Sequence, residues 1–397
     1  MKLLDVEAAR AMILARAAPL DVEDVALAEA HGRVLAADVA ASRDQPPFAA
    51  SAMDGWAVRA ADTPGRLAIM GESAAGRAFS GVVGQGQTVR IFTGAPMPSG
   101  SDAVVIQEDA RREGDAVEVP AVTDPRHIRP AGLDFRAGER LLTAGVRLDP
   151  WRLALAAAAG APRLEVFRRP RIAILGTGEE IVAPGAAAGP DQIYDSGTTT
   201  LTALVESWGA SALPLARVGD DVGAIAAAVE GARCDLLVTL GGASVGDHDL
   251  VKPALARLGL RLEVESVAIR PGKPTWFGTL GDGRRVLGLP GNPASAMVCA
   301  ELFLRPLVMA LQGADATLAL VAARSASALA ANGEREAWMR ARLSSGPAGE
   351  LIATPFGDQD SSLVTVFAAA NALLRRPPLA QALAPGDLVE VLPLARL

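Results

Sequence analysis

The sequence predicts a multidomain protein in which a central α/β domain with a parallel sheet is joined to a mainly β N-terminal lobe and a small β-rich C-terminal domain. Three observations lead there. The chain has 397 residues, and at roughly 100 to 200 residues per domain it needs two to four cores. Half of the residues are apolar and 21% are charged, which supports packed cores and excludes a disordered chain. The texture then changes along the chain, from short β-type runs to alternating strands and helices and back again.

In chain order, Asp5 is placed to cap a helix that repeats Val6, Ala9, Ile13 and Ala17 on one face until Pro19 stops it. Residues 1–43, taken together with 136–170, read as a helical and extended linker domain. Residues 44–135 form the β lobe, with short runs GWAVRA, GRLAIM, QTVRIFTG, DAVVIQED and DAVEVP punctuated by Gly and Pro. Asp149-Pro150 opens a helix. From 171 to 312 the units RIAILGTG, TTTLTALVESWGA, ALPLARVG, DVGAIAAAVEGA, DLLVTLGG and VKPALARLGL alternate strand and helix. Such near-continuous apolar strands imply a parallel sheet covered on both faces, with ligands at the carboxyl ends of its strands. Residues 313–397 carry the alternating EAWMRARL and DLVEVLPL of a β domain.

Charge and composition narrow the function. Thirty-eight basic against 45 acidic residues leave a net charge of −7, so no global field draws the chain to nucleic acid. Cys234 and Cys299 have no CxxC spacing and sit among apolar neighbours, as reduced packing residues do. Three histidines (His31, His127, His248) without an HExxH motif make a His-based metal centre improbable. The N-terminus lacks a signal-peptide segment. The longest apolar stretch, Leu153 to Gly160, falls short of the ~18 residues of a membrane span. A cytoplasmic, soluble protein is expected.

The chemistry lies in the turns after the strands. Gly241, Gly242, Ser244 and Gly246 form a loop that can cradle a phosphate, although a tight turn between strand and helix needs glycines anyway. Taken alone, Glu179, Glu180, Asp195, Asp220, Asp221 and Asp249 each read first as a helix cap, Asp220-Asp221 most of all, but together they put carboxylates along the same rim. Carboxylates repel a phosphate unless a hard cation lies between them, so the rim points to a Mg2+-bridged phosphate or pyrophosphate. Arg270 and Lys273, stiffened by prolines in RPGKPT, supply the basic counterpart. Pro290, Gly291, Asn292, Pro293 and Ser295 form a strand-to-helix junction expected to leave helix N–H groups free for an anion. In the β lobe, loops around Ser51 with Asp54, and around Thr93 with Gly94, are elaborate for plain strand connections, although a structural loop explains them as well as a binding role does.

The succession PPFAASAMDGWAV, FTGAPMPSGSDAVVIQED, RPAGLDFRAGE, GTGEEI, QIYDSG, LGGASVGDHDLVKPAL, AIRPGKPTWFG and GLPGNPASA closely resembles the molybdopterin molybdenumtransferase (MoeA, gephyrin E domain) family, in order over residues 1–312 with a looser tail. The resemblance implies a molybdopterin-binding type of α/β domain, a small β-barrel-like C-terminal domain and a homodimer whose cleft is shared between subunits. It implies insertion of molybdenum from molybdate into adenylylated molybdopterin, with Mg2+, releasing AMP and molybdenum cofactor. Carried over by motif, catalytic roles fall on Asp54, Thr93, Glu180, Asp220, Asp249 and Arg270, metal binding on Glu180, Asp220 and Asp249, and substrate binding on the glycine loop, Asp195, Lys273 and the PGNP turn. A contact with the molybdopterin adenylyltransferase is also implied. Ser266 stands where relatives carry a basic residue, and Gly197 where they carry asparagine. A non-catalytic cofactor carrier and a receptor-clustering scaffold are the competing classes.

Overall fold

The computed structural model describes residues 3–122, 127–219, 221–241 and 250–394. Its central domain holds a six-stranded sheet in the order Ser211–Pro214, Arg171–Gly176, Leu236–Leu240, Arg285–Leu289, Trp276–Thr279, Arg261–Val264. The first four strands are parallel. Contrary to an all-parallel sheet, Trp276–Thr279 runs antiparallel to both of its neighbours. Only Leu280 to Arg284 separate it from Arg285–Leu289, and Gly283 donates back to Leu280 O at 3.0 Å. Such a short connection can only form a hairpin, since a parallel crossover needs a dozen or more residues. Ile172, Ile174, Leu236, Val238 and Leu287 bury one sheet face, and Ala173, Leu175, Leu237 and Val286 the other, giving two cores on one sheet.

Helix Val6–Leu14 is capped as its sequence requires, with Ala8 N–H donating to Asp5 Oδ1 at 2.7 Å. Its apolar stripe packs into the α/β core, where Val6, Ala9 and Ile13 join Ile172 and Leu307. The strands that follow it pair elsewhere, Val22–Ala26 with Arg163–Phe167 and Val39–Ala40 with Arg140–Leu142. They share a separate core of Val25, Leu35, Leu148 and Val166. Arg168 ties this region to the sheet through a two-pronged bridge to Asp235 at 2.8 and 2.9 Å, a geometry that fixes orientation as well as distance.

The β lobe is a six-stranded sheet containing Gly55–Val58, Gly65–Ser73, Gln87–Ile91, Ala103–Ile106 and Ala116–Val119, which lie in the five short β-type runs that Gly and Pro set off in the sequence. The C-terminal domain closes. Glu336–Ser345 pairs with both Leu351–Pro355 and Ala372–Arg376, so with Val321–Ser325 and Leu388–Pro393 it makes a five-stranded barrel without a free edge. Ile269–Arg270, from the α/β domain, adds to this barrel in parallel beside Glu336 and Ala337.

Helix Pro293–Leu311, a 19-residue run, is long and apolar enough to cross a membrane by length and composition, yet 83% of it is buried inside the protein. It is not the longest apolar stretch in the sequence because its two charges, Glu301 and Arg305, interrupt the run. In the fold they pair at 3.3 Å, one turn apart.

Candidate active site

Four turns meet at the carboxyl edge of the parallel strands. Thr177, after the first strand, donates its N–H and its hydroxyl to Leu240 O at 3.2 and 3.3 Å. A Cβ on Gly291 would lie 3.5 Å from Gly241 Cα, and one on Gly197 would lie 3.2 Å from Leu240 Cδ1. Asp195 Oδ1 accepts from Thr198 N at 2.8 Å and so anchors helix Gly197–Ser207. Asp221 likewise caps Val222–Gly231, accepting from Ala224 N at 2.6 Å. The cap reading therefore holds for these two acids.

Glu180 differs. Its backbone carbonyl takes Ile193 N–H at 2.7 Å, while its exposed carboxylate has no partner among the described residues. The carboxylate folds back over Gly178, where φ is +126°, and a Cβ there would come within 2.6 Å of Glu180 Oε2. Only glycine accommodates this arrangement. Asp220, Gly242, Ser244, Gly246 and Asp249 lie outside the described residues. Among the described residues no group of three His, Cys, Asp or Glu is placed to hold a metal. Glu180 nevertheless offers hard, unpaired oxygen donors, which suit Mg2+ held by one or two carboxylates plus substrate phosphates.

The Pro290–Ser295 junction is partly occupied. Ala294 N–H donates to Ser361 O at 3.0 Å, and Asn292 Nδ2 donates to Ser361 Oγ at 2.8 Å instead of capping its own helix. The expectation of wholly free helix N–H groups is thus corrected: a carbonyl from the barrel domain takes one of them. Pro290 and Ser295 are buried, and Gly291 and Asn292 face outward.

The basic side is built across two domains. Arg270 and Lys273 are exposed, and neither side chain has a hydrogen-bonding or ionic partner among the described residues. Between them Gly272, at φ +111°, packs so closely on Cys299 that a Cβ would collide with its sulfur. Thr275 Oγ1 donates to Gly272 O at 2.8 Å and lies 3.1 Å from Cys299 Sγ. Burial pushes the Cys299 thiol up to about 12, so it is a packing group and no nucleophile. Across from Arg270, a cavity of 230 Å³ is lined by Trp338, Arg340 and Gln359 of the barrel domain. Arg340 is fully buried, and among the described residues its Nε and Nη1 have no partner, while Nη2 donates to Asp360 O at 2.7 Å. Burial lowers its pKa against the pull of Asp358 and Asp360. Gln359 clamps the strand on both sides, accepting from Arg340 N at 2.9 Å and donating to Arg340 O at 3.0 Å.

In the β lobe, Asp54 Oδ1 accepts both the N–H and the hydroxyl of Thr93, at 2.7 and 2.8 Å. The Thr93 N–H, then its hydroxyl, then the charge of Arg90 hold the Asp54 carboxyl below the usual carboxylate range. Arg90 lies between the Trp56 and Phe92 rings, 5.2 and 5.0 Å from their centroids, and donates to Gln107 Oε1 at 2.6 Å. No described hydrogen bond or ion pair joins Asp54 or Thr93 to the strand-edge turns.

Comparison with known proteins fits this architecture along the whole chain. Residues 4–160 match the MoeA N-terminal region (domain I and II), residues 173–310 the "Probable molybdopterin binding domain", and residues 322–394 the MoeA C-terminal region (domain IV). The molybdopterin molybdenumtransferase of Nostoc sp. is 38% identical over 80% of this chain and 76% of its own length. The chain belongs to the MoeA family. Molybdopterin molybdenumtransferase 2 of Mycobacterium tuberculosis is 36% identical over 89% of this chain and 90% of its own. The crystal structure of the molybdopterin biosynthesis MoeA protein from Pyrococcus horikoshii superposes with a TM-score of 0.83 at 30% identity, covering 99% of both chains.

Within this MoeA chain, sequence reasoning missed Arg340, Gln359 and Ser361. All three lie in the tail beyond the quoted motifs. The arginine in EAWMRARL occupies a strand position that alternates with apolar neighbours, and a cation at an inward position was the available signal. Ser266 is buried, and its hydroxyl has no partner among the described residues.

Proposed function

We propose that this chain is a molybdopterin molybdenumtransferase that takes adenylylated molybdopterin and molybdate, inserts molybdenum with the help of Mg2+, and releases AMP and molybdenum cofactor. The observation that carries the reading is the dry, incompletely paired guanidinium of Arg340 facing Arg270 across a cavity of 230 Å³. A buried cation with spare donors fits a tetrahedral oxyanion such as molybdate and receives it without further desolvation. Arg270 and Lys273 guide the oxyanion inward. At the strand edge, Gly241, Asp195, Gly291, Asn292 and Pro293 are assigned to the phosphate side, and the sequence motif gives Gly242, Ser244 and Gly246 the same role.

Glu180 would hold Mg2+ with Asp220 and Asp249, and the ion when bound would neutralise the charge of the phosphoanhydride. Asp54, fixed in its ionised form by Thr93, would face the substrate from the β lobe of a partner subunit in a homodimer. Cleavage of the anhydride then depends on position and charge and needs no protein nucleophile. A cytoplasmic setting and a contact with the molybdopterin adenylyltransferase complete the proposal.

The test is to incubate the purified full chain with adenylylated molybdopterin, molybdate and Mg2+. AMP is followed by chromatography and cofactor by reconstitution of a cofactor-free molybdoenzyme. Release of AMP coupled to active cofactor is expected. Tight substrate binding without AMP would make the chain a carrier instead.

A further inference from the structure

The turn that carries Arg270 and Lys273 has a backbone arrangement that the assignments above leave unused. Gly272 to Thr275 close a β-turn in which Thr275 N–H donates to Gly272 O at 3.0 Å. The Thr275 hydroxyl donates to the same oxygen at 2.8 Å. We propose that Thr275, backed by Cys299, is a positioning residue for oxyanion binding: it holds the Gly272 carbonyl inward and so presents the backbone N–H of Lys273 to the oxyanion. The proposal rests on the transferase reading above and deepens its molybdate side.

Peptide geometry is the first argument. The Gly272–Lys273 bond is not among the cis peptides of the chain, and in a trans peptide the C=O and the N–H point in opposite directions. Thr275 is fully buried, so a carbonyl aimed at it points into the protein. The Lys273 N–H is then turned outward, at a residue that is exposed, and it has no acceptor among the described residues. The next carbonyl is engaged as well, since Lys273 O accepts from the N–H of buried Val267 at 3.0 Å. An oxyanion approaching this face meets a free donor and neither of those two acceptors.

Backbone freedom is the second. Gly272 sits at φ +111° without a Cβ, so its peptide is free to swing where another residue's would not be. Pro274 restricts Lys273 from the other side, and the two donors of Thr275 remove the freedom that remains. The Thr275 hydroxyl has one proton, which it gives to Gly272 O, so its lone pair lies toward the Cys299 sulfur 3.1 Å away. Burial pushes that thiol up to about 12, so it keeps its proton and is able to donate it to Thr275. Thiol, hydroxyl and carbonyl thus form a buried chain polarised in one direction. Cost is the third argument. Arg270 and Lys273 are flexible side chains that lose rotamer entropy when an anion orders them, whereas a fixed backbone N–H is already oriented.

The chain contains three lysines, Lys2, Lys252 and Lys273, which makes the test direct. Full-length protein carrying 15N-labelled lysine gives one backbone amide resonance per lysine, and the resonance lost in Lys273→Arg is that of Lys273. Molybdate and pyrophosphate are titrated separately, the latter with Mg2+. Molybdate is expected to move the Lys273 amide proton downfield, as a new hydrogen bond does. Thr275→Val, which keeps the branched shape and loses the hydroxyl, should weaken molybdate about fivefold and shrink that movement. Thr275→Ser, which keeps the hydroxyl, should match wild type in both. In turnover, Thr275→Val should raise KM for molybdate and leave kcat nearly unchanged. The proposal is overturned if molybdate binds without moving the Lys273 amide, or if pyrophosphate moves it and molybdate does not. It is equally overturned if Thr275→Ser is impaired while Thr275→Val is not, the pattern of a packing role. If molybdate does not bind wild type at all, the transferase reading falls and takes this proposal with it.

Discussion

The two sides of the candidate site carry opposite charges in opposite states of preparation. On the barrel side, Arg340 is buried and held by the Gln359 clamp and Asp360 O, with two nitrogens unspent among the described residues. At the strand edge, Glu180 is exposed, its carboxylate unpaired and resting on Gly178. Folding has already met the desolvation cost of the cation, which is then preorganised for an oxyanion. The carboxylate keeps its water until a hard cation replaces it, so it costs the fold little. A site for two anions can thus be dry and fixed where it binds the small oxyanion, and wet and adjustable where an ion must enter with a phosphate.

The comparison breaks most readily at Arg340. Arg340→Met is expected to lower molybdate affinity and turnover by about 100-fold while leaving Tm unchanged or higher, because it replaces an under-paired buried charge by an apolar side chain. Calorimetry for binding and thermal melts for stability read the two effects separately. A variant that melts lower yet keeps its turnover would show Arg340 to be structural.

Glu180→Gln comes next. Turnover should fall about tenfold at limiting Mg2+ and recover in part as Mg2+ is raised, with Tm unmoved because the side chain is exposed. Loss of turnover that is indifferent to Mg2+ would remove Glu180 from the metal role.

The smallest effect sharpens the contrast with a third acid, Asp54, which is half-buried where Glu180 is exposed and is already hydrogen-bonded. Thr93 favours its charged form, so the folded pKa lies below the unfolded one; any stability it lends is present above the unfolded pKa and is lost as pH falls through the folded value. Thr93→Val removes one of the two donors, so the acid limb of the pH–rate profile should move to higher pH with little change at neutral pH. An unmoved acid limb would show that Asp54 does not govern it.

Much of the fold was legible because it is written locally. Asp5, Asp149 and Asp221 cap the helices their positions announce, and Gly and Pro punctuation sets off the five β-lobe runs. The antiparallel Trp276–Thr279 strand was not legible, since its residues follow the RPGKP turn and are too few to show a period. Helix Val364–Ala369 is six residues long, too short to announce itself by periodicity. At the site, motifs located Glu180, Asp195, Arg270 and the PGNP turn, but the occupation of the Ala294 N–H by Ser361 depends on a segment some 70 residues away and leaves no local trace.

By itself the sequence determined which residues can bear charge at strand ends, where the glycines permit close approach, and which family's motifs follow one another. Those are properties of short segments, set by propensity, capping and spacing. Only the tertiary structure decided that Ile269–Arg270 would pair with Glu336–Ala337 and so bring Arg270 to the cavity that Arg340 lines. Pairing across domains and the burial of a charge depend on surfaces distant in sequence, and they form only when the barrel closes against the α/β domain.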